Sequence, residues 1–269
     1  MTNLDLIRCD LLSKHGVKHG FSTRSGGVSK DEYATLNITR SRGDQAADIA
    51  ENRRRLRVSL ELDHLAFATQ VHGCNVIRVG AIPRGDQPVG EGDALITDQA
   101  GIGLVCQTAD CTPILILDPV GNVIAAIHSG WRSTVLDVVG ETVRAMHESF
   151  GCDPANFIAA IGPCISPDNY RVGPEVVEHF ELLFAGNDRV LSARDEAGGA
   201  QLDVGEACHT QLLQHGVQAG NIWRSSLCTY AESDLLFSAR RSHHDGKSGV
   251  FGGQCGVIGL GRALERAPG

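Results

Sequence analysis

The chain has no run of 18 apolar residues, so it holds no segment able to cross a bilayer as a helix. Its start lacks an apolar signal core: the stretch from Met1 to Gly16 already carries Asp5, Arg8, Asp10 and Lys14. Lysine and arginine form no extended block, and 24 of them stand against 32 acidic residues, for a formal charge of −8. That balance argues against nucleic acid and membrane surfaces as partners, while local arginines can still hold a small anion. There is no P-loop, no Gly-x-Gly-x-x-Gly fingerprint and no Gly-x-Ser-x-Gly elbow. Nor is there an internal repeat, a low-complexity tract or a Pro/Ser-rich linker, and one domain over residues 1–269 is expected. The nine cysteines are odd in number and irregularly spaced, which predicts free thiols in a reducing cytoplasm.

What remains is ordinary globular composition, 42% apolar and 21% charged, with 32 glycines for tight turns. A domain of this length buries roughly 70–75% of its unfolded surface and needs no metal to fold. A metal held here would therefore serve chemistry.

Val17–Arg24 reads as a short strand ending in the turn at Gly26-Gly27, and Asp48–Leu60 as a charged helix whose Arg53, Arg54 and Arg55 form a solvated face. Leu65–Thr69, Asn75–Val79, Ala94–Thr97, Ile102–Gln107, Pro113–Leu117 and Asn122–Ile127 are strand candidates, several of them continuous apolar runs suited to burial on both faces. One helix is expected after His128. Its apolar stripe runs through Val135, Val138, Val139, Val143, Met146 and Phe150. A strand at Phe157–Ile161 and helices near Pro174–Phe184 and Val204–Gln214 follow. The end reads as short strands and loops at Leu227–Tyr230, Leu236–Arg241 and Gly256–Leu260, with His243-His244 in an exposed hairpin turn. Strands and helices mix without a βαβ rhythm, so the expected class is α+β with mixed sheets.

Three segments place metal-ligand residue types beside strand ends: Gln70-Val71-His72-Gly73, Thr108-Ala109-Asp110-Cys111-Thr112-Pro113 and His128-Ser129-Gly130-Trp131. Two imidazoles and a thiolate suit zinc or copper, and a three-ligand set leaves one tetrahedral position for chemistry. The gaps of 39 and 17 residues match no compact finger. Spacing alone leaves a second reading open, in which the histidines are hydrogen-bonded turn residues and Cys111 is a small core side chain. Cys164, after Gly162-Pro163, is either a reactive thiol or a buried inert one. Arg24 beside Gly26-Gly27, Arg132 after Trp131, and Arg240 with Arg241 are candidates for phosphate, though each alone is more often a surface ion-pair former.

The order of motifs resembles the multicopper polyphenol oxidase (laccase-domain) family, also described as zinc-dependent purine nucleoside phosphorylases and including bacterial YfiH-like proteins. The carrying residues span about Phe21 to Leu260. They are Phe21-Ser22-Thr23-Arg24 with Gly26-Gly27-Val28-Ser29, Leu36-Asn37, Gln70–Gly73, Gly92-Asp93-Ala94-Leu95-Ile96-Thr97, Thr108–Ile114, His128–Arg132, Ile161–Ile165, Cys228-Thr229-Tyr230 and Phe237–Arg241. The resemblance implies an α/β/β/α layered sandwich and a zinc held by His72, Cys111 and His128. It also implies phosphorolysis of adenosine, inosine and methylthioadenosine, adenosine deamination, and an older assignment as a copper polyphenol oxidase. The family usually has glycine where this chain has Ser133, and a glycine- and histidine-bearing stretch where it has Ile38–Asp44.

The leading expectation is a purine nucleoside phosphorylase with side deaminase activity, taking a nucleoside and phosphate. Cys164, Arg24 and Asp110 stand as catalytic candidates, and Arg24, Arg132 and Arg240 as substrate-binding ones. Blue-copper oxidase chemistry needs a copper set able to cycle electrons, with several histidines per cluster, whereas this chain offers one three-ligand site with few histidines near the other motifs; a redox-silent zinc suits polar chemistry instead. The deaminase signature His-x-Glu with Pro-Cys-x-x-Cys is absent. The rival readings are a copper-dependent phenol oxidase and a binding module with a structural metal.

Overall fold

Two successive buried strands set the architecture, because their odd and even residues enter different cores. In the computed structural model, which describes residues 4–40, 43–81, 85 and 87–261, the first half of the chain runs β1 (Leu6–Ile7), α1 (Asp10–Ser13), β2 (Lys18–Ser22), α2 (Ala46–Ser59), β3 (His64–Phe67), β4 (Val76–Arg78), β5 (Ala94–Thr97), β6 (Ile102–Thr108), β7 (Thr112–Asp118) and β8 (Val123–Ser129). The second half runs α3 (Trp131–Val135), α4 (Val138–Phe150), β9 (Ile158–Ile161), β10 (Arg171–Val172), α5 (Pro174–Leu183), β11 (Leu191–Ser192), β12 (Ala200–Leu202), α6 (Val204–Gln214), β13 (Ile222–Arg224), α7 (Ala239–His244) and β14 (Gln254–Gly259).

Along β7, Ile114 and Ile116 enter one core while Leu115 and Leu117 enter another; along β8, Val123, Ala125 and Ile127 part from Ile124 and Ala126 in the same way. The first core lies under α4, α5 and α6, with Val138, Val139, Met146, Phe180, Ala207 and Leu212. The second lies between two sheets and takes Phe21, Ala66, Leu104, Cys106 and Ile258 from the other sheet. The far face of that other sheet, through Phe67, Val105 and Val257, packs on Leu56 and Leu60 of α2 and its C-terminal cap. The layers are thus helix, sheet, sheet, helix: the expected α/β/β/α sandwich in an α+β fold. Truncating a fully buried side chain such as Leu115 to alanine costs about 2–5 kcal/mol.

Both large sheets are mixed. The six-stranded sheet has the order β13-β9-β7-β8-β5-β4, and the five-stranded one β1-β2-β14-β6-β3. In the first, β7 pairs antiparallel with β8 and β9, while β13/β9 and β4/β5 are parallel. A small third sheet has the order β10-β12-β11.

Several expectations need correction. The helix after His128 is two helices, because Asp137 takes a left-handed conformation (φ 55°) and caps α4 by accepting from the Gly140 amide. Val135 therefore sits on α3, and the buried stripe begins at Val138. Leu236–Arg241 is no strand: Ala239 begins α7, whose early amides are accepted by Ser238 Oγ (from Arg241, 3.1 Å) and the Asp110 carboxylate (from Arg240, 2.7 Å). His243 and His244 form the last turn of that helix, not a hairpin. Leu227–Tyr230 contributes only a single bridge, Cys164 to Cys228. Finally, Arg53 leaves the solvated face. It is 3% exposed, its guanidinium lies 3.9 Å over the Phe67 ring, and its Nε donates to Ile38 O.

Candidate metal centre and its two cavities

The β7/β8 ladder brings the first two residues of the site together. Pro113 faces His128 and Thr112 faces Ser129, so Cys111, just before β7, lies beside Gly130, just after β8. His72 arrives from the β3–β4 loop with φ 58°, a left-handed conformation that a non-glycine residue adopts only under local constraint. The constraint is Asp93, just before β5. One carboxylate oxygen accepts from the His72 amide at 3.0 Å, and the other from the Gly73 amide at 2.7 Å and the Val71 amide at 3.2 Å.

The same Asp93 holds His128. Its Oδ1 meets His128 Nδ1 at 2.8 Å, and its backbone carbonyl accepts from the His128 amide at 2.7 Å. His128 Nδ1 is thereby engaged, which leaves Nε2 for a ligand. Asp93 and His128 are both buried. Burial favours the neutral carboxyl, but the His128 imidazole and the Gly73 and Val71 amides outweigh it and hold Asp93 below the usual carboxylate range.

One ligand atom from each of His72, Cys111 and His128 falls within 4.8 Å of the others, the one such group of three among the described residues. Cys111 Sγ and His72 Nε2 are 3.9 Å apart. A tetrahedral zinc with ordinary Zn–S and Zn–N bonds needs about 3.6 Å between such atoms, so this pair needs a closure of a few tenths of an ångström, and the whole set, within 4.8 Å, draws inward to hold the ion. Burial works against the Cys111 thiolate, but His128 and His72 reverse it and lower its pKa. Burial likewise works against a charged His128, and Cys111 and Asp93 raise its pKa. Gly130 is required for this approach: a Cβ there would lie 2.9 Å from His72 Cδ2 and 3.1 Å from Cys111 Sγ.

Two cavities meet at the His72–Cys111 wall. The first, about 430 Å³, is lined by Asp110, Trp131, Arg132, Tyr170, Arg240 and His243, among others. Arg132 stacks on Trp131 (4.3 Å) and Arg240 on Tyr170 (4.9 Å). Neither guanidinium has a carboxylate partner among the described residues, although Arg240 also donates to Arg171 O at 3.3 Å. Burial pushes the Tyr170 hydroxyl up to about 12, so it stays protonated. Asp110 has φ 97°; its oxygens accept from Thr229 Oγ1 (2.6 Å) and the Arg240 amide (2.7 Å). The second cavity, about 500 Å³, includes His128, Thr39, Arg40, Arg53, Gln70 and Gln107.

The structure leaves two sequence candidates outside both cavities. Arg24 donates from Nε to Ala34 O (2.9 Å) and from Nη1 to Ser233 O (2.6 Å), and it lies over Phe237 (4.8 Å). Its guanidinium ties loops together and faces no site. Cys164 is buried, lines neither cavity, and its thiol is raised to about 12 by desolvation, the setting of a core thiol. Arg241 is structural as well, donating to the carbonyls of Thr229, Tyr230 and Leu236. Ser133 is fully buried and lines neither cavity. Within the Ile38–Asp44 loop, Ser41 and Arg42 lie outside the described residues. Sequence reading missed the role of Asp93; the only signal was its place in the Gly92–Thr97 motif, directly before a strand.

Comparison with known proteins agrees with this fold. The family described as multi-copper polyphenol oxidoreductase laccase matches residues 18–261, and the chain belongs to that family. A purine nucleoside phosphorylase of Deinococcus radiodurans is 38% identical over 261 residues, covering 96% of this chain and 94% of that protein. Adenosine deaminase RL5, from an unknown prokaryotic organism, is 34% identical, covering 88% and 94%. The crystal structure of YlmD from Geobacillus stearothermophilus superposes with a TM-score of 0.86 at 30% identity, covering 97% of this chain and all of that one. No helix among the described residues is long and apolar enough to cross a membrane.

Proposed function

We propose that the chain is a purine nucleoside phosphorylase of the cytoplasm. On this reading it acts on adenosine, inosine and methylthioadenosine, deaminates adenosine as a side activity, and works as one catalytic domain over residues 1–269. The observation that carries the reading is the His72–Cys111–His128 set at the wall between two cavities, one of which presents the carboxylate-free guanidiniums of Arg132 and Arg240. The name of the Deinococcus relative supports phosphorolysis, and that of RL5 supports the side activity.

We read the ion as zinc, since a thiolate and two imidazoles with one position open are a catalytic zinc pattern; copper is the alternative the same donors accept. Such an ion supplies a redox-silent Lewis acid. Cycling electrons through several coppers would need further histidine clusters, and the described residues hold a single group of three.

The remaining roles belong to the protein. Arg132 and Arg240, braced on aromatic rings, form a fork for phosphate oxygens. Asp110, with both oxygens already accepting hydrogen bonds, positions Arg240 and Cys111 rather than moving a proton. Trp131 and Tyr170 limit water around the anion.

The test is a panel of inosine, adenosine and methylthioadenosine incubated with and without phosphate and resolved by chromatography. Free base and ribose 1-phosphate (or its methylthio analogue) should form only with phosphate. Equal cleavage without phosphate would make the enzyme a hydrolase. No cleavage, with rapid oxygen uptake on phenols by copper-loaded protein, would establish the oxidase. No turnover of any substrate would leave a binding module.

A further inference from the structure

The arginine fork accounts for one cavity and leaves the other unassigned. The second opens where the C-terminal end of β6 meets α2 and the loop after Ile38, and it shares His72 and Cys111 with the first. Its polar lining is selective in what it offers. Gln70 is engaged at both ends, since its Nε2 donates to Gln107 O at 2.8 Å and its Oε1 accepts from the Gln107 amide at 2.7 Å. The Gln107 side chain is different. Its Oε1 accepts from Arg53 Nη2 at 3.4 Å, and its Nε2 makes no hydrogen bond to a described residue. Arg53 is itself fixed, buried over Phe67 with Nε on Ile38 O. Flipping the amide would set an NH2 group against a guanidinium, so the assignment is held, and Nε2 is the unengaged end of a side chain that lines the cavity.

Phosphorolysis makes a geometric demand that this layout meets. A phosphate oxygen bonds to the anomeric carbon as the bond from that carbon to the purine nitrogen breaks. The electron pair leaves with the base, and the proton of hydrogen phosphate ends on it. Nucleophile and leaving group stand on opposite faces of the ribose, so the two need compartments on either side of the reacting carbon. We propose that the second cavity holds the purine base, with Gln107 donating from Nε2 to a ring nitrogen or the exocyclic oxygen of the purine. A carboxamide donor suits these acceptors, and its hydrogen bond strengthens as charge builds on the departing base. The assignment rests on the phosphorylase reading.

Binding of hypoxanthine to zinc-loaded protein, measured by calorimetry without phosphate, tests it independently of turnover. Gln107→Ala should weaken binding roughly 3- to 10-fold, the loss of one neutral hydrogen bond. Gln107→Glu, which can still pair with Arg53 but offers no N–H, should weaken it at least as much. Gln70 grips only the backbone of residue 107, so Gln107→Glu, which keeps an acceptor for Arg53, should melt close to the parent, whereas Gln107→Ala takes that acceptor from a buried guanidinium and should melt lower; if the alanine variant fails to fold, the glutamate variant carries the test. Arg240→Ala should leave hypoxanthine affinity unchanged while raising the phosphate requirement. Hypoxanthine binding unaltered in both Gln107 variants, weakened more by Arg240→Ala than by either, or absent in the parent overturns the proposal. If the parent binds hypoxanthine through Gln107 yet splits no nucleoside, the purine site stands and the phosphorylase reading falls. If it phosphorolyses nucleosides while the Gln107 variants bind normally, the reading stands and the site falls.

Discussion

Asp93→Asn isolates what one buried carboxylate contributes to the metal centre. In the parent, one oxygen serves His128 Nδ1 and the His72 amide, and the other serves the Gly73 and Val71 amides. Asparagine has the same shape but a single acceptor. Whichever way its amide turns, two N–H groups lose their acceptor and face an NH2 donor instead. An unsatisfied buried donor costs about 1–3 kcal/mol, so the folded state should lose roughly 2–6 kcal/mol before any relaxation. If the NH2 faces His128, the ring must give up its Nδ1 proton or rotate, and Nε2 leaves its ligand orientation. If it faces Gly73 and Val71, the loop that holds His72 at φ 58° relaxes instead. Either way a ligand is displaced, and metal affinity should fall about 10- to 100-fold, the usual effect of removing such a supporting partner. Competition with a chromophoric chelator measures the affinity, and thermal melting of the metal-free protein measures the fold, so the two losses are separable. A variant that melts lower but binds zinc as tightly as the parent would refute the claim that Asp93 aims the ligands.

The ligands and their neighbours give three further outcomes. The parent should carry about one zinc per chain, and His72→Ala, Cys111→Ala and His128→Ala should each lose it on elemental analysis yet keep native circular dichroism, because the cores do not depend on the ion. Arg132→Ala and Arg240→Ala should raise the Michaelis constant for phosphate about 10- to 150-fold, the loss of a charge-assisted hydrogen bond; Arg24→Ala should leave it unchanged and instead lower the melting temperature. Cys164→Ala should keep both zinc and turnover, and in the parent Cys164 should resist alkylation at pH 8 because its thiol is held near 12; a fall in turnover alone would restore it to the site.

The layers were legible in the sequence where burial acts on both faces. Ala94–Thr97 and the apolar runs around Ile114 and Ala125 can only be sheet interiors, and α6 follows its expected bounds. The misreadings share a cause. The break at Leu136–Asp137 contains no proline or glycine; it is stabilised by His215, 78 residues on, whose Nε2 meets Asp137 Oδ2 at 2.7 Å. The start of α7 depends on Asp110, 130 residues earlier. Arg53 reads as one of three surface arginines until its partners, Ile38 and Phe67, are placed around it. Local pattern carries no information about caps and partners that arrive from distant strands.

The site obeys the same logic more strictly. Gaps of 39 and 17 residues say nothing of proximity; the ligands meet because the β7/β8 register sets Cys111 beside Gly130 and Asp93 bridges His72 to His128. A resemblance can name the three ligands, but it cannot tell which arginine faces them, and Arg24, beside a glycine turn, looked as suitable as Arg240. Asp110 explains the difference. It precedes the thiolate ligand directly, holds a left-handed conformation, and accepts from the Arg240 amide, so the donor set and the start of α7 are built from adjacent residues of one strand entry. That bond fixes the Arg240 backbone beside the candidate ligand set, whereas Arg24 has no such tie. On the proposed reading phosphate goes with the arginine anchored through Asp110, and the left-handed backbone at that residue is what sets anion and metal in one frame.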